Sequence, residues 1–265
     1  MNVISERSWE MNSEHIKAII IAAGMGRRLR PYTLEVPKCM LEFSGKSLLR
    51  HQLETFMECG IHDISVVRGY RKEMINYPNL KYYENTDYEN NNILNSLFYA
   101  KKEITGNVIV SYSDILFENR IVQKLASSEE DISIVVDTAW RENYVGRKDH
   151  PFAEAESVIF DANKQVVKIG KIYTEHDDVS GEFIGMMKLS PGGSESFKKY
   201  FARSKTAYWN QPFQRARSFQ KAYLTDMIQE MAELGFPVHC ITIERGWREI
   251  DTVEDYEKAS RELSF

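Results

Sequence analysis

The chain has 265 residues, with 34 Lys and Arg against 39 Asp and Glu, a formal charge of −5. That balance, with a pI near 5.8, argues against a general nucleic-acid or membrane-surface binder, both of which need a cationic face. The length suits one sizeable core. No window reaches the roughly 18 apolar residues needed to span a bilayer, and three scattered cysteines, Cys39, Cys59 and Cys240, exclude a disulfide framework and read as buried thiols of a cytoplasmic protein.

Residues 1–15 lack the apolar centre of a signal peptide and read as a mobile leader, with Met11 an alternative start. The apolar run Ala18 to Ala23 predicts a strand buried on both faces. It breaks into Gly24-Met25-Gly26, where the backbone can turn sharply and approach a ligand. Arg27, Arg28 and Arg30 follow, then Lys38 after Pro37. Backbone amides with fixed cations describe a polyphosphate cradle. Neither common phosphate fingerprint fits: Leu29 stands where a dinucleotide motif needs its third Gly. Met40 stands where a P-loop ending in Gly45-Lys46-Ser47 needs its first.

Ser47 to Cys59 places Leu49, Leu53, Phe56 and Met57 on one helical face, stopped by Gly60. Ile64 to Val67 is a second strand. Tyr82-Tyr83 leads into an asparagine-rich turn from Asn85 to Asn92, and Ile93 to Ile104 follows helical spacing. Val108 to Val110 is a third strand ending at Ser111-Tyr112-Ser113-Asp114, and Ile132 to Val136 a fourth. Strands alternating with amphipathic helices predict a Rossmann-like α/β fold, a mostly parallel sheet covered on both faces. Ligands then sit beyond the carboxyl ends of the strands, where the glycine loop and Asp114 both lie.

From Asp137 the texture changes. Trp140 to His150 is polar, aromatic and irregular. Ser157 to Phe160 and Val166 to Ile169 flank Asp161-Ala162-Asn163 as a hairpin. Phe183 to Leu189 reads as a strand, Ser194 to Phe201 as a helix begun by Ser194, and Tyr223 to Leu234 as a helix closed by Gly235. Val238 to Ile243 is a late strand, and Thr252 caps a last helix with Asp255 in capping-box position. With no dividing linker, residues 16–265 read as one domain. Residues 16–136 are mainly nucleotide-binding, and 137–265 form a small acceptor-binding insertion with the closing elements.

Ala22-Ala23-Gly24, Gly26, Arg28-Leu29, Pro31, Thr33 and Pro37-Lys38 resemble the signature AAGxGxRLxPxTxxxPKxL of nucleotidyltransferases that activate sugar phosphates, phosphocholine and phosphonates. Met40 stands where the signature has Leu. The resemblance implies that Arg28 grips the β- and γ-phosphates and Lys38 neutralises charge at the α-phosphorus, while Arg27, at a variable position, faces solvent. It implies nucleotide contacts from Ala22, Ala23, Gly24 and Gly26. Asp114, at a strand's carboxyl end, is a natural Mg²⁺ ligand because hard cations prefer oxygen; relatives often carry glycine where Ser113 precedes it. Trp247 to Thr252 resembles the EIDTxEDY ending of phosphocholine and phosphonate cytidylyltransferases, which makes Asp251 the second metal carboxylate. Asn90-Asn91-Asn92 with Ser96 resembles their "NN…S" segment, which puts Asn92 and Ser96 at the nucleotide.

For the acceptor, Trp140, Arg141, Tyr144, Arg147, Lys168, Lys171 and Glu182 are candidates, although Trp140 and Tyr144 are of the type that more often packs a core. The resemblance implies transfer of CMP from CTP to a small phosphonate or phosphomonoester with release of pyrophosphate, 2-aminoethylphosphonate being favoured over phosphocholine. A sugar-1-phosphate nucleotidyltransferase using UTP or dTTP is the alternative within the class, and a catalytically silent nucleotide-binding module the alternative outside it. Neither nucleic acid nor membrane is an expected partner, and a homodimer is compatible with this reading.

Overall fold

The computed structural model describes residues 16–172 and 178–262; the leader at 1–15 lies outside the described residues. Thirteen strands are present there. They are β1 (Ile16–Ala22), β2 (Glu42–Phe43), β3 (Lys46–Ser47), β4 (Asp63–Arg68), β5 (Lys81–Glu84), β6 (Asn107–Tyr112), β7 (Ile115–Phe117), β8 (Ile132–Asp137), β9 (Ser157–Phe160), β10 (Val166–Gly170), β11 (Gly181–Leu189), β12 (His239–Ile243) and β13 (Trp247–Glu249). The α-helices are α1 (Leu48–Glu58), α2 (Ile93–Leu97), α3 (Asn119–Ala126), α4 (Pro191–Tyr208), α5 (Leu224–Glu233) and α6 (Val253–Glu262).

The central sheet runs β10-β9-β11-β6-β1-β4-β5, with β8 paired to β11 and β12 to β8. β1 pairs in parallel with both β4 and β6, β4 with β5, and β12 with β8. β11 runs antiparallel to β6, β8 and β9. The sheet is therefore mixed: the run β6-β1-β4-β5 is parallel, and the long strand β11 reverses direction where the second half begins.

The alternation of β1 explains its unbroken apolar run. Ile19 and Ile21 face one core with Leu94 and Leu97 of α2, Phe197 and Phe201 of α4, and Leu224 and Met227 of α5. Ala18, Ile20 and Ala22 face the other with Leu49, Leu53 and Phe56 of α1 and Ile121, Val122 and Leu125 of α3. Burying each such side chain contributes about 1.5–3 kcal/mol, so both faces must be covered.

Local signals place most element ends. The Ser47 side chain accepts from Arg50 N and caps α1. α4 begins earlier than its sequence suggested: Ser190 is the cap, accepting from Gly193 N, and Pro191 occupies the first turn, where its missing N–H costs nothing. Ser194 instead donates to Gly106 O from inside the helix. Residues 140–150 contain a short 3-10 turn, Trp140–Tyr144. The Tyr82-Tyr83 stretch is an edge strand, β5, paired with β4. All three cysteines are buried and free, and burial pushes their thiols up to about 11–12.

Candidate active site

The glycine loop leaves β1 at its carboxyl end. Gly26 has φ +56°, and a Cβ there would stand 3.0 Å from Lys38 Cβ and 3.2 Å from Thr33 Cγ2. Only glycine allows that close approach, and Thr33 Oγ1 donates to Gly26 O at 2.8 Å to close the loop. Leu29, in the place of a third glycine, plugs a small core with Leu41, Phe43, Leu48, Leu116, Ile250 and Ala259. The loop is thus anchored by packing. Gly24 has no protein atom near its missing Cβ, and its side of the loop opens into a cleft.

That cleft, about 320 Å³, is lined by Ala22, Ala23, Gly24, Gly26, Arg28, Lys38, Asn92, Ser96, Asp114 and Asp251, with Arg27 and Tyr88 also on its wall. The structure therefore gathers into one cavity Arg28, Lys38, Asp114, Asp251 and the residues expected at the nucleotide, whereas Arg30 of the expected cation cluster is exposed outside it. The asparagine segment reaches it as a built corner. Asn85 Nδ2 donates to Asn91 Oδ1 and Ser96 Oγ, both at 2.8 Å, and Asn92 Oδ1 accepts from Ile93 N.

Lys38 follows Pro37 in a short 3-10 turn and is only 9% exposed. Its Nζ donates to Asp114 Oδ2 and Asp251 Oδ1, each at 2.7 Å. Burial alone would lower its pKa; Asp114 and Asp251 outweigh burial and raise it, so the ammonium is permanently charged. Burial would raise Asp251, but Lys38 foremost, then the His150 imidazole at 3.3 Å and Arg28, whose guanidinium meets Asp251 Oδ2, hold it well below the usual carboxylate range. Asp114 and Asp251 lie 137 residues apart in sequence. They meet because β7 and β13 pair in an antiparallel ladder (Glu249 opposite Ile115) and Ile250 N donates to Asp114 O at 2.9 Å. The capping box sets Asp251 at the head of α6: Asp255 Oδ2 accepts from Asp251 N, Thr252 N and Thr252 Oγ1, and Asp255 N donates to Thr252 Oγ1.

A second cavity of about 150 Å³ shares Arg28, Asn92, Asp114 and Asp251 with the first. Its other walls are Tyr112, His150, Glu154, Glu156, Lys171, Glu182, Tyr223, Trp247 and Glu249, with Phe183 and Ile184. It is rich in carboxylates short of cations. Burial pushes Glu156 up to about 8, against the opposing pull of Lys171, Thr225 and Tyr112. Glu249 also rises to about 8, through burial and then the negative charges of Asp251 and Asp114. Burial raises Glu182 well above its ordinary value; its Oε1 accepts from the Tyr144 hydroxyl and its Oε2 is buried without a hydrogen bond.

Of the acceptor candidates, Lys171 and Glu182 line this cavity and the other five do not. Trp140 and Tyr144, 1% and 4% exposed, pack with Phe152 and Ala155 as a separate small core. Arg141 is exposed beside Trp140, and Lys168 is exposed on β10. Arg147 donates to Asp255 Oδ2 at 2.8 Å and stands 3.6 Å from Glu249 Oε2, behind the cavity wall. For aromatics the reason is that burying ring area outweighs exposing it to a wet cavity; for Arg147 a buried carboxylate was the nearer partner. Tyr173, another aromatic of this region, lies outside the described residues. Sequence reasoning missed Tyr112, His150, Glu156, Tyr223 and Glu249. Glu249 stood within the recognised ending, and Tyr112 two residues before Asp114; His150 and Glu156 lay in stretches, Trp140 to Pro151 and Ala153 to Glu156, that resemble the phosphonate-activating branch, but nothing there singled out either residue.

The sequence model of the MobA-like NTP transferase domain matches residues 18–178. The chain belongs to that family. It is 30% identical over 254 residues to the CTP:phosphoglutamine cytidylyltransferase of Campylobacter jejuni, covering 91% of this chain and 98% of that one. To the choline-phosphate cytidylyltransferase of Streptococcus pneumoniae it is 37% identical over 117 residues, 43% of this chain and 51% of the relative. Its fold matches the CTP:phosphocholine cytidylyltransferase of Streptococcus pneumoniae with a TM-score of 0.70 at 22% identity, covering 93% of this chain and 98% of that one.

Proposed function

We propose that this nucleotidyltransferase moves CMP from CTP to a small acceptor bearing a phosphate or phosphonate, releasing pyrophosphate. The observation that carries the reading is the Lys38 bridge: a buried, permanently charged ammonium in the wall of the larger cleft, between Asp114 and Asp251, the two carboxylates that line both cavities. The likeness along nearly the whole chain to a cytidylyltransferase supports CTP as the donor.

The nucleotide occupies the larger cleft, its phosphates against the glycine-loop amides. Arg28, half exposed, leaves Asp251 to hold the β- and γ-phosphates. Lys38 offsets the charge that grows at the α-phosphorus as the acceptor oxygen attacks. That oxygen is already anionic near neutral pH, so positioning and charge neutralisation suffice and no general base is needed. Asp114 and Asp251 are the residues that would hold Mg²⁺: both offer oxygen, and Asp114 Oδ1 is buried without a hydrogen-bond partner. Mg²⁺ bound there would neutralise phosphate charge.

The smaller cavity takes the acceptor. Glu182 Oε2 is buried without a hydrogen bond and Glu156 is met only by the hydroxyls of Tyr112 and Thr225, which favours a cation with N–H donors, while the Trp140 ring packs into a separate small core. An acceptor with a primary ammonium, 2-aminoethylphosphonate foremost, fits better than phosphocholine, whose quaternary ammonium has no proton to donate. The test is pyrophosphate release with CTP, UTP, GTP and dTTP against 2-aminoethylphosphonate, its trimethylated analogue, phosphocholine, phosphoglutamine and glucose 1-phosphate. CTP with a primary-amine acceptor is expected to give the highest kcat/KM. Equal or better use of the trimethylated acceptors would reverse the acceptor choice, and preferred use of UTP with glucose 1-phosphate would overturn the reading.

A further inference from the structure

Next to the Lys38 bridge lies a cluster of which nucleotidyl transfer as derived above uses Asp251 but neither His150 nor Glu249. His150, Glu249 and Asp251 each bring one ligand-capable atom, and the three atoms lie within 4.8 Å of one another. His150 Nδ1 is 3.3 Å from Asp251 Oδ2 and 3.8 Å from Glu249 Oε2. A first-row ion with bonds near 2.1 Å holds neighbouring ligand atoms about 3–3.5 Å apart, so these three need only small side-chain movements to close on one.

The imidazole adds an observation of its own. His150 is 3% exposed, and its buried Nδ1 is aimed into the cluster, with Asp251 Oδ2 at 3.3 Å and Glu249 Oε2 at 3.8 Å around it. A buried imidazole nitrogen held between two carboxylates is in place to serve as a ligand. The segment carrying it is pinned from both sides. Arg147 donates to Asp255 at 2.8 Å, and Lys148 N and Asp149 N donate to Glu254 Oε2 at 2.8 and 3.1 Å. The ring also meets the Tyr144 ring edge-on at 5.7 Å. Its position is therefore set before any ion arrives, as metal-ligating imidazoles require.

We propose that His150, Glu249 and Asp251 form a site for a divalent first-row transition ion, Co²⁺ or Zn²⁺ rather than Mg²⁺, in the wall of the acceptor cavity. One nitrogen with two carboxylate oxygens suits such ions, whereas Mg²⁺ takes oxygen alone. The site rests on the proposed function only in that Asp251 is shared with it. The competitor for this position is Arg28, which occupies Asp251 Oδ2 from a side chain 52% exposed. The ion displaces that guanidinium, while Lys38 keeps Oδ1. Phosphates that draw Arg28 away would open the site, so nucleotide and ion would assist each other.

The experiment titrates the chelator-treated full chain with Co²⁺ in the absence of nucleotide, following visible absorption and heat. One equivalent is expected to bind. His150→Phe should weaken binding about tenfold or more and abolish the nitrogen-dependent band, and Arg28→Met should tighten it. If His150→Phe melts early, His150→Gln keeps the polarity and carries the same comparison. The site is overturned if the wild-type chain takes up no Co²⁺ or Zn²⁺ below millimolar concentration. It is equally overturned if a folded His150 variant binds as tightly as wild type. Pyrophosphate release with Mg²⁺, measured in parallel, separates the two readings: an active chain that takes no Co²⁺ loses only this site. An inactive chain with His150-dependent binding loses only the transfer function.

Discussion

Lys38 shows how one residue can serve fold and chemistry together. Its ammonium is compensated by two carboxylates, and the close passage of Gly26 over its Cβ fixes where its side chain starts. A cation held this way offers charge stabilisation with little reorganisation, worth about 3–4 kcal/mol when it acts only in the transition state. Lys38→Ala is therefore expected to melt cooperatively, with Arg28 still facing Asp251, and to lower single-turnover rates about 10²–10³-fold. Near-normal turnover in that folded variant would remove Lys38 from the reaction.

At the level of elements, the decisive contact is the two-stranded ladder of β7 and β13, which carries Asp114 and Asp251 to the same place. The segment 140–150 braces it from outside through Arg147, whose side chain and that of Asp255 are 8% and 7% exposed. Removing Arg147 takes the paired cation from a buried carboxylate that keeps its donors from residues 251 and 252, at a cost near the lower end for such pairs, about 3 kcal/mol. Arg147→Ala should thus lower the urea midpoint by an amount matching that loss. Arg141→Ala, on an exposed side chain nearby, should change stability by less than about 0.5 kcal/mol. Equal effects would mean that Arg147 braces nothing.

Across the whole molecule, the parallel half of the sheet supplies the cleft around the glycine loop, and the half beyond β11 supplies a cavity lined with carboxylates. Burial holds Glu156 at about 8. Below that pH its acid form is neutral and cannot pair with an ammonium; above it the carboxylate can. Because kcat/KM reports ionisations of the free enzyme, its value for an amine-bearing acceptor should climb as pH rises through about 8. In Glu156→Gln that limb should disappear. A wild-type profile flat from pH 7 to 9 would exclude Glu156 from acceptor binding.

The glycine loop, both core faces of β1, the apolar face of α1, the 157–170 hairpin and the Asp255 capping box were all legible in the sequence. Each is specified by residues close together in the chain, through periodicity, caps and glycine geometry. Arg28, Lys38, Asp114 and Asp251 were legible for a different reason, since they sit in contiguous motifs. The partners of Trp140, Tyr144 and Arg147 were not. Whether an aromatic or an arginine lines a cavity or turns away from it depends on which distant surface it can reach. Only the tertiary structure decided that Arg147 pairs with Asp255, that Trp140 packs on Phe152, and that His150 and Glu156 face a cavity. Buried charge and ring area settle on whichever arrangement leaves the least of either uncompensated, and that choice involves strands more than a hundred residues apart.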